Sequence, residues 1–148
     1  MNRLAKFVIS ILLVTCAAPI WSQESMTVGD VKAKNAKLLS KDDLMKLLPG
    51  HNYLSTAQSY EQRWTLDPDG TAKGANTPKV ASVMQQPAGG EAKWSVNDRG
   101  EFCLDGKWYF RQALLVKYCH QVYELGDGYY RFASNAADSS PAYFFQVK

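Results

Sequence analysis

Residues 91–110, EAKWSVNDRGEFCLDGKWYF, followed by residues 117–132, KYCHQVYELGDGYYRF, decide the reading of this 148-residue chain. Aromatic and β-branched residues come in short alternating runs, and turn-forming residues separate the runs. Ala92, Trp94 and Val96 fall on one face of an extended segment. Asn97-Asp98-Arg99-Gly100 turns the chain, residues 101–104 return, and Asp105-Gly106 reads as a second turn. Residues 116–125 form a long strand, Gly126-Asp127-Gly128 a hairpin turn, and residues 129–133 its return. Period-two alternation punctuated by Gly, Asn and Asp is the pattern of antiparallel strands.

Working outward, the same pattern recurs. Residues 61–66 place Trp64 and Leu66 on one face, with Arg63 and Thr65 on the other. Asp67-Pro68-Asp69-Gly70 is a turn, and residues 71–75 return from it. Residues 51–57 make a first strand and 142–147 a last one, with a polar loop at 135–141. Residues 108–110 extend the sheet, while 111–114 read either way. Residues 76–90 are the longest irregular stretch, with room for a short strand at 80–84. About eight strands with short connections must pair antiparallel, because a parallel pair needs a long crossover. A meander of that size removes its edges by closing into a barrel. The expected fold is therefore mainly β, an antiparallel eight-stranded barrel, with an open β-sandwich as the alternative.

Ahead of the strands, Ser40-Lys41-Asp42-Asp43 has the form of a helix capping box. Leu44, Leu47 and Leu48 then share a helical face, and Pro49-Gly50 ends the helix. Its expected task is to lay leucines over an open end of the sheet. Residues 23–39 are polar and Lys-rich and read as a flexible lead-in or a frayed helix, with order beginning at Ser40.

The N-terminus, MNRLAKFVISILLVTCAAPIWSQ, has a basic start at Arg3 and Lys6, a short apolar run, and small residues after it. This is the pattern of a secretory signal peptide, with cleavage expected after Ser22. Leu13-Val14-Thr15-Cys16 offers an alternative, a lipobox with Cys16 as the lipidated residue; the protein would then be anchored in the outer membrane. The division is thus 1–22 leader, 23–39 lead-in and 40–148 one β-barrel domain. Of 17 basic and 14 acidic residues, the leader removes Arg3 and Lys6 and no acid, leaving an almost neutral chain. That balance argues against nucleic acid as a partner, which would call for a basic excess. The cluster Lys32, Lys34, Lys37 and Lys41 reads as a solvated segment.

Cys103 and Cys119 are the only cysteines beyond the leader, and in an exported protein they are expected to form a disulfide. Cys119 is followed by His120, but neighbours on a strand point to opposite faces, which makes a poor catalytic dyad. His51 and His120 are the only histidines, and with the cysteines bonded no cluster has metal-ligand spacing. Asp67, Asp69 and Gly70 resemble the start of a calcium loop whose later ligands are missing. Glu61, Glu91, Glu101 and Glu124 are scattered, with nothing to pair two as acid and base. No metal, cofactor or catalytic residue is therefore assigned. An eight-stranded barrel has an interior that is either filled or holds one small ligand. Trp64, Trp94, Tyr118 and His120 are the residues expected to line it.

The arrangement of a leader, a Leu-rich helix, RWTLDPDGTAKG, AKWSVNDRGEFCL and CHQVYELGDGYYRF resembles the small exported barrels of the lipocalin-like, or calycin, type. It also resembles an uncharacterised family of secreted proteobacterial proteins, a domain of unknown function with a similar Trp…Asp-Gly…Trp…Cys…Cys progression, over residues 40–134. In size and disulfide content it is similar to periplasmic inhibitors of proteases or lysozyme, without their inhibitory loops. These readings converge on an exported, periplasmic or secreted, non-enzymatic barrel that binds a small apolar or amphipathic ligand. The alternative is an envelope interaction or inhibitor module acting through the 76–90 and 135–141 loops, with an envelope protein as partner. A membrane association is expected only with lipidation at Cys16.

Overall fold

The alternation resolves into a closed antiparallel barrel. The computed structural model describes residues 25–56, 60–78, 88–109, 113–126 and 128–148. Its elements are α1 (Val28–Ala33), β1 (Lys37–Leu38), α2 (Lys41–Leu47), β2 (Asn52–Thr56), β3 (Tyr60–Leu66), β4 (Thr71–Pro78), β5 (Ala88–Val96), β6 (Phe102–Tyr109), β7 (Ala113–Leu125), β8 (Gly128–Phe132) and β9 (Tyr143–Val147). Strands β2 to β7 follow one another as a meander, β7 pairs with β8, β8 with β9, and β9 returns to β2. The barrel is therefore closed, as the strand count and short turns predict, and the open sandwich is not formed.

Cross-strand partners share a face, so the register shows which side chains point inward. Tyr53 pairs with Trp64, Trp64 with Gly74, Gly74 with Gly90, Gly90 with Trp108 and Trp108 with Leu114. Leu66, Ala72, Trp94, Leu104, Val122 and Phe145 join the same core. Trp64 and Trp108 pack against each other with ring centroids 4.5 Å apart. A Cβ on Gly74 or Gly90 would come within 2.9 Å of both tryptophan rings. These two glycines therefore make room for the indoles, and this part of the interior is filled by side chains.

Helix α2 closes one end. Its capping box is formed, with the Ser40 hydroxyl accepting from the Asp43 amide and the Asp43 carboxylate accepting from the Ser40 amide. Leu44 and Leu48 are buried in the barrel core. At the same end the Trp94 indole N–H donates to the Asp67 carbonyl at 2.8 Å. Glu101 is almost fully buried beside it in the chain's next turn. Asn97 and Arg99 donate to its carboxylate at 2.7 and 2.8 Å and hold its pKa below the usual range.

Two expectations need correction. Asp105-Gly106 is not a turn. Residues 102–109 run as one strand, with Asp105 opposite Lys93 and Gly106 opposite Ala92. Gly106 lies so close to the Ala92 backbone that a side chain has no room, so this glycine marks a close strand approach. Over its described residues, 25–39, the lead-in follows the helical alternative, and order begins ahead of Ser40. Thr27 caps α1 with a complete capping box, and Val28 and Val31, both 0% exposed, pack with Phe132, Tyr123 and Tyr130 outside the barrel. Short β1 then lies along β7. The Lys-rich composition hid a two-valine apolar stripe whose platform is assembled from distant residues. The leader with Cys16, the proposed strand at 80–84 and residues 110–112 lie outside the described residues.

Candidate functional site

The long strand β7 sets up the site. Over residues 113–120 it pairs with β6, but its pairing with β8 covers only residues 121–125. Strand β9 in turn meets β2 through Tyr53–Val147 and Leu54–Gln146, with Asn52 and Lys148 exchanging backbone hydrogen bonds at the end of the ladder. The wall thus has a seam where the backbone ladders are short, and side chains bridge it.

Arg131 is the bridge. It lies opposite inward-facing Val122 on one side and Tyr143 on the other, so it points into the barrel. Its Nε donates to the Tyr53 hydroxyl at 2.6 Å, and its Nη1 lies 2.8 Å from His120 Nδ1. The guanidinium stacks 4.1 Å from the Tyr118 ring centroid and 5.0 Å from that of Tyr143. His120 stacks between the same two tyrosines, 4.7 Å from Tyr118 and 6.2 Å from Tyr143. The result is a cage of three tyrosines and a histidine around one cation.

The protonation states follow from chemistry. A guanidinium can only donate, so His120 Nδ1 must accept, and the imidazole is neutral with its proton on Nε2. Burial, followed by the neighbouring Arg131 charge, pushes the His120 pKa down to about 4, against a smaller opposing effect of Glu101. Burial and then the Tyr53 hydroxyl raise the Tyr118 phenol well above its ordinary value. Burial opposes the Arg131 charge, but the oxygens of Tyr53 and Tyr118 outweigh it and keep the cation protonated. Among the described residues no Asp or Glu forms an ion pair with Arg131. Faces of aromatic rings attract a cation, by about 0.5–2 kcal/mol each, and here they stand where a carboxylate would be expected.

The cage opens toward one end of the barrel. Tyr143 is 48% exposed. From Tyr118 the inward face of β7 continues through Val116 to Leu114, which is itself 49% exposed. A polar, cationic patch therefore adjoins an apolar stripe on one strand face.

The four residues expected to line the interior divide into two pairs. Tyr118 and His120 meet at the cage. Trp64 is buried in the filled core beside Trp108, and Trp94 is hydrogen-bonded at the end closed by α2. Three residues of the cage, Tyr53, Arg131 and Tyr143, carried no assignment from sequence. The signal was present for Arg131, because the Gly126–Gly128 hairpin sets a register that turns this charged residue inward. His51, the second histidine, is exposed, with its Nδ1 3.0 Å from the Pro49 carbonyl oxygen. Cys103 and Cys119 are directly opposed and joined, with sulfurs 2.05 Å apart. Cys119 faces out and His120 in, so the two neighbours do not act together. Among the described residues no group of three His, Cys, Asp or Glu side chains is placed to hold a metal ion. A disulfide fits an oxidising compartment. No protein-family model, no curated protein and no solved structure matches this chain.

Proposed function

We propose that this protein is a non-enzymatic binding barrel, exported from the cell, that takes one small amphipathic molecule at the seam between β7 and β8–β9. One observation carries the reading: the Tyr53–Tyr118–His120–Arg131–Tyr143 cage runs directly into the apolar Val116–Leu114 face of the same wall. Binding sites for small molecules are mostly apolar, with a few converging polar groups that fix orientation. The seam has both parts side by side. Its imidazole lone pair is already engaged by Arg131, which suits a fixed recognition group rather than a general base.

Several features support export. They are the leader pattern in residues 1–22, the disulfide, and the resemblance of residues 40–134 to small exported lipocalin-like barrels. The protein then works in the periplasm or outside the cell, or at the outer membrane if Cys16 carries a lipid. The ligand acts as the partner, and the barrel stores, shields or delivers it.

Native mass spectrometry of protein purified from its own host tests this reading. The expected result is a cleaved or Cys16-lipidated chain with the Cys103–Cys119 bond and one small amphipathic molecule per chain. A ligand-free chain that also fails to take up any of a panel of twelve-carbon amphiphiles would remove the proposal.

A further inference from the structure

We infer that the seam recognises an anionic head group, a carboxylate or a phosphate, and that Arg131 is the residue that reads it. This rests on the binding reading above and specifies the ligand's chemistry.

The first observation is the missing counter-charge. The tyrosines offset the cost of burying the Arg131 guanidinium without neutralising it, so its positive charge still favours an anion beside it. Tyr53, Tyr118 and Tyr143 supply ring faces and one hydroxyl acceptor, and His120 supplies a neutral nitrogen. No carboxylate among the described residues takes the remaining role.

The second observation is donor arithmetic. A guanidinium has five N–H groups. Two are used, one toward Tyr53 and one toward His120. Among the described residues the other three find no acceptor, and they include donors on both Nη1 and Nη2, the two nitrogens that together meet the paired acceptor oxygens of a carboxylate or phosphate. His120 adds a further donor. With Nδ1 accepting from Arg131, its Nε2 carries the proton, and no described residue accepts from it. The cage thus holds donors in surplus and has no free negative charge of its own. It selects against a cationic head group, which Arg131 would repel.

The third observation is placement. The cation lies at the inner end of the apolar Leu114–Val116 stripe, next to half-exposed Tyr143. A chain lying along β7 would bring its head group to Arg131.

The test is calorimetric titration of the disulfide-bonded protein, below micelle-forming concentrations, with four twelve-carbon probes: dodecanoate, dodecyl phosphate, dodecanol and dodecyltrimethylammonium. Acetate and inorganic phosphate serve as chainless controls. At least one of the two anionic probes is expected to bind one per chain, about 10- to 100-fold tighter than dodecanol, the worth of one charge-assisted hydrogen-bond pair. The ammonium probe is expected to be weakest. Whichever anion binds tighter identifies the head group. Dodecanol or the ammonium probe binding as tightly as both anions would overturn the anion assignment while leaving the binding barrel intact. Inorganic phosphate or acetate matching its long-chain counterpart would keep the anion site and remove the amphipathic reading. No binding by any probe removes both. In a folded Arg131→Gln variant the preference for anions over dodecanol should disappear. If that variant does not fold, Arg131→Lys, which keeps the charge but loses the fork, is expected to lose about tenfold of the preference. An unchanged preference in a folded variant of either kind contradicts the inference, and the unmodified protein's ranking of the probes decides it in any case.

Discussion

The wall made by β3 to β6 and the seam made by β7, β8, β9 and β2 are built on different terms. The wall has long, continuous ladders, and its inner face is tryptophan set against glycine: Trp64 and Trp108 over Gly74 and Gly90. The seam has short ladders, and its inner face is an arginine among tyrosines and a histidine. The Cys103–Cys119 bond ties the two regions together at the β6–β7 pair, just where β7 leaves the wall and enters the seam. On the binding reading proposed above, stability belongs to one half of the barrel and recognition to the other. A buried cation without a carboxylate is an expensive way to close a wall, and the apolar core next to it shows that this chain can close one with packing.

Substitutions on the two sides should therefore separate. The largest effect belongs to the wall. Trp108→Ala removes the ring that fills the space over Gly74 and Gly90, and should cost about 3–5 kcal/mol of stability in urea denaturation. A loss below about 1 kcal/mol would mean that the wall is not the stabilising half. Replacing Cys103 and Cys119 by serine opens a link across 16 residues, and should cost about 3 kcal/mol in the same experiment.

The seam should respond to pH. His120 has a pKa of about 4 in the fold against 6.5 unfolded. Between those values the unfolded chain binds a proton that the folded chain refuses. Stability contributed by the neutral histidine is therefore present above pH 6.5 and is lost as pH falls toward 4. The groups facing it are Arg131 from β8, Tyr143 from β9 and Tyr118 on its own strand, with Glu101 further off, its carboxyl pKa held below the usual value by Asn97 and Arg99. The expected loss is on the order of 1–3 kcal/mol, discounted for partial exposure, and His120→Gln should flatten the slope between pH 6.5 and 4. An unchanged slope in that variant would place the titration elsewhere. The smallest effect on stability should come from Tyr143→Ala, within about 1 kcal/mol because the ring is half exposed, with a clear loss of ligand affinity in calorimetry. A large loss of stability with affinity intact would reverse the division of labour.

The wall was far easier to read from sequence than the seam. Trp64, Leu66, Trp94 and Val96 alternate cleanly, and the Asp-Pro-Asp-Gly and Asn-Asp-Arg-Gly turns carry glycines with positive φ at Gly70 and Gly100. Strand phase and local turns suffice there. The reading failed at Asp105-Gly106, where a turn dipeptide lies mid-strand because the backbone of β5 approaches it closely. It also failed at α1, because the platform for Val28 and Val31 comes from residues about a hundred positions away. The cage was half legible. Tyr118 and His120 share a strand and a face, so phase alone singles them out. Tyr53 and Tyr143 join them only through barrel closure, which brings the first and last strands of the domain together. Arg131 carried no assignment from sequence, and it is the register of the β7–β8 pair that turns it inward.

The division between wall and seam is tested most directly by a nuclear magnetic resonance titration of the isotope-labelled protein with dodecanoate, following indole and backbone amide resonances together. The account expects saturable shifts at Val116, Tyr118, His120, Arg131 and Tyr143, with the Trp64 and Trp108 indole signals unmoved. Shifts centred on the two indoles, or no saturable shifts at the seam, would contradict it.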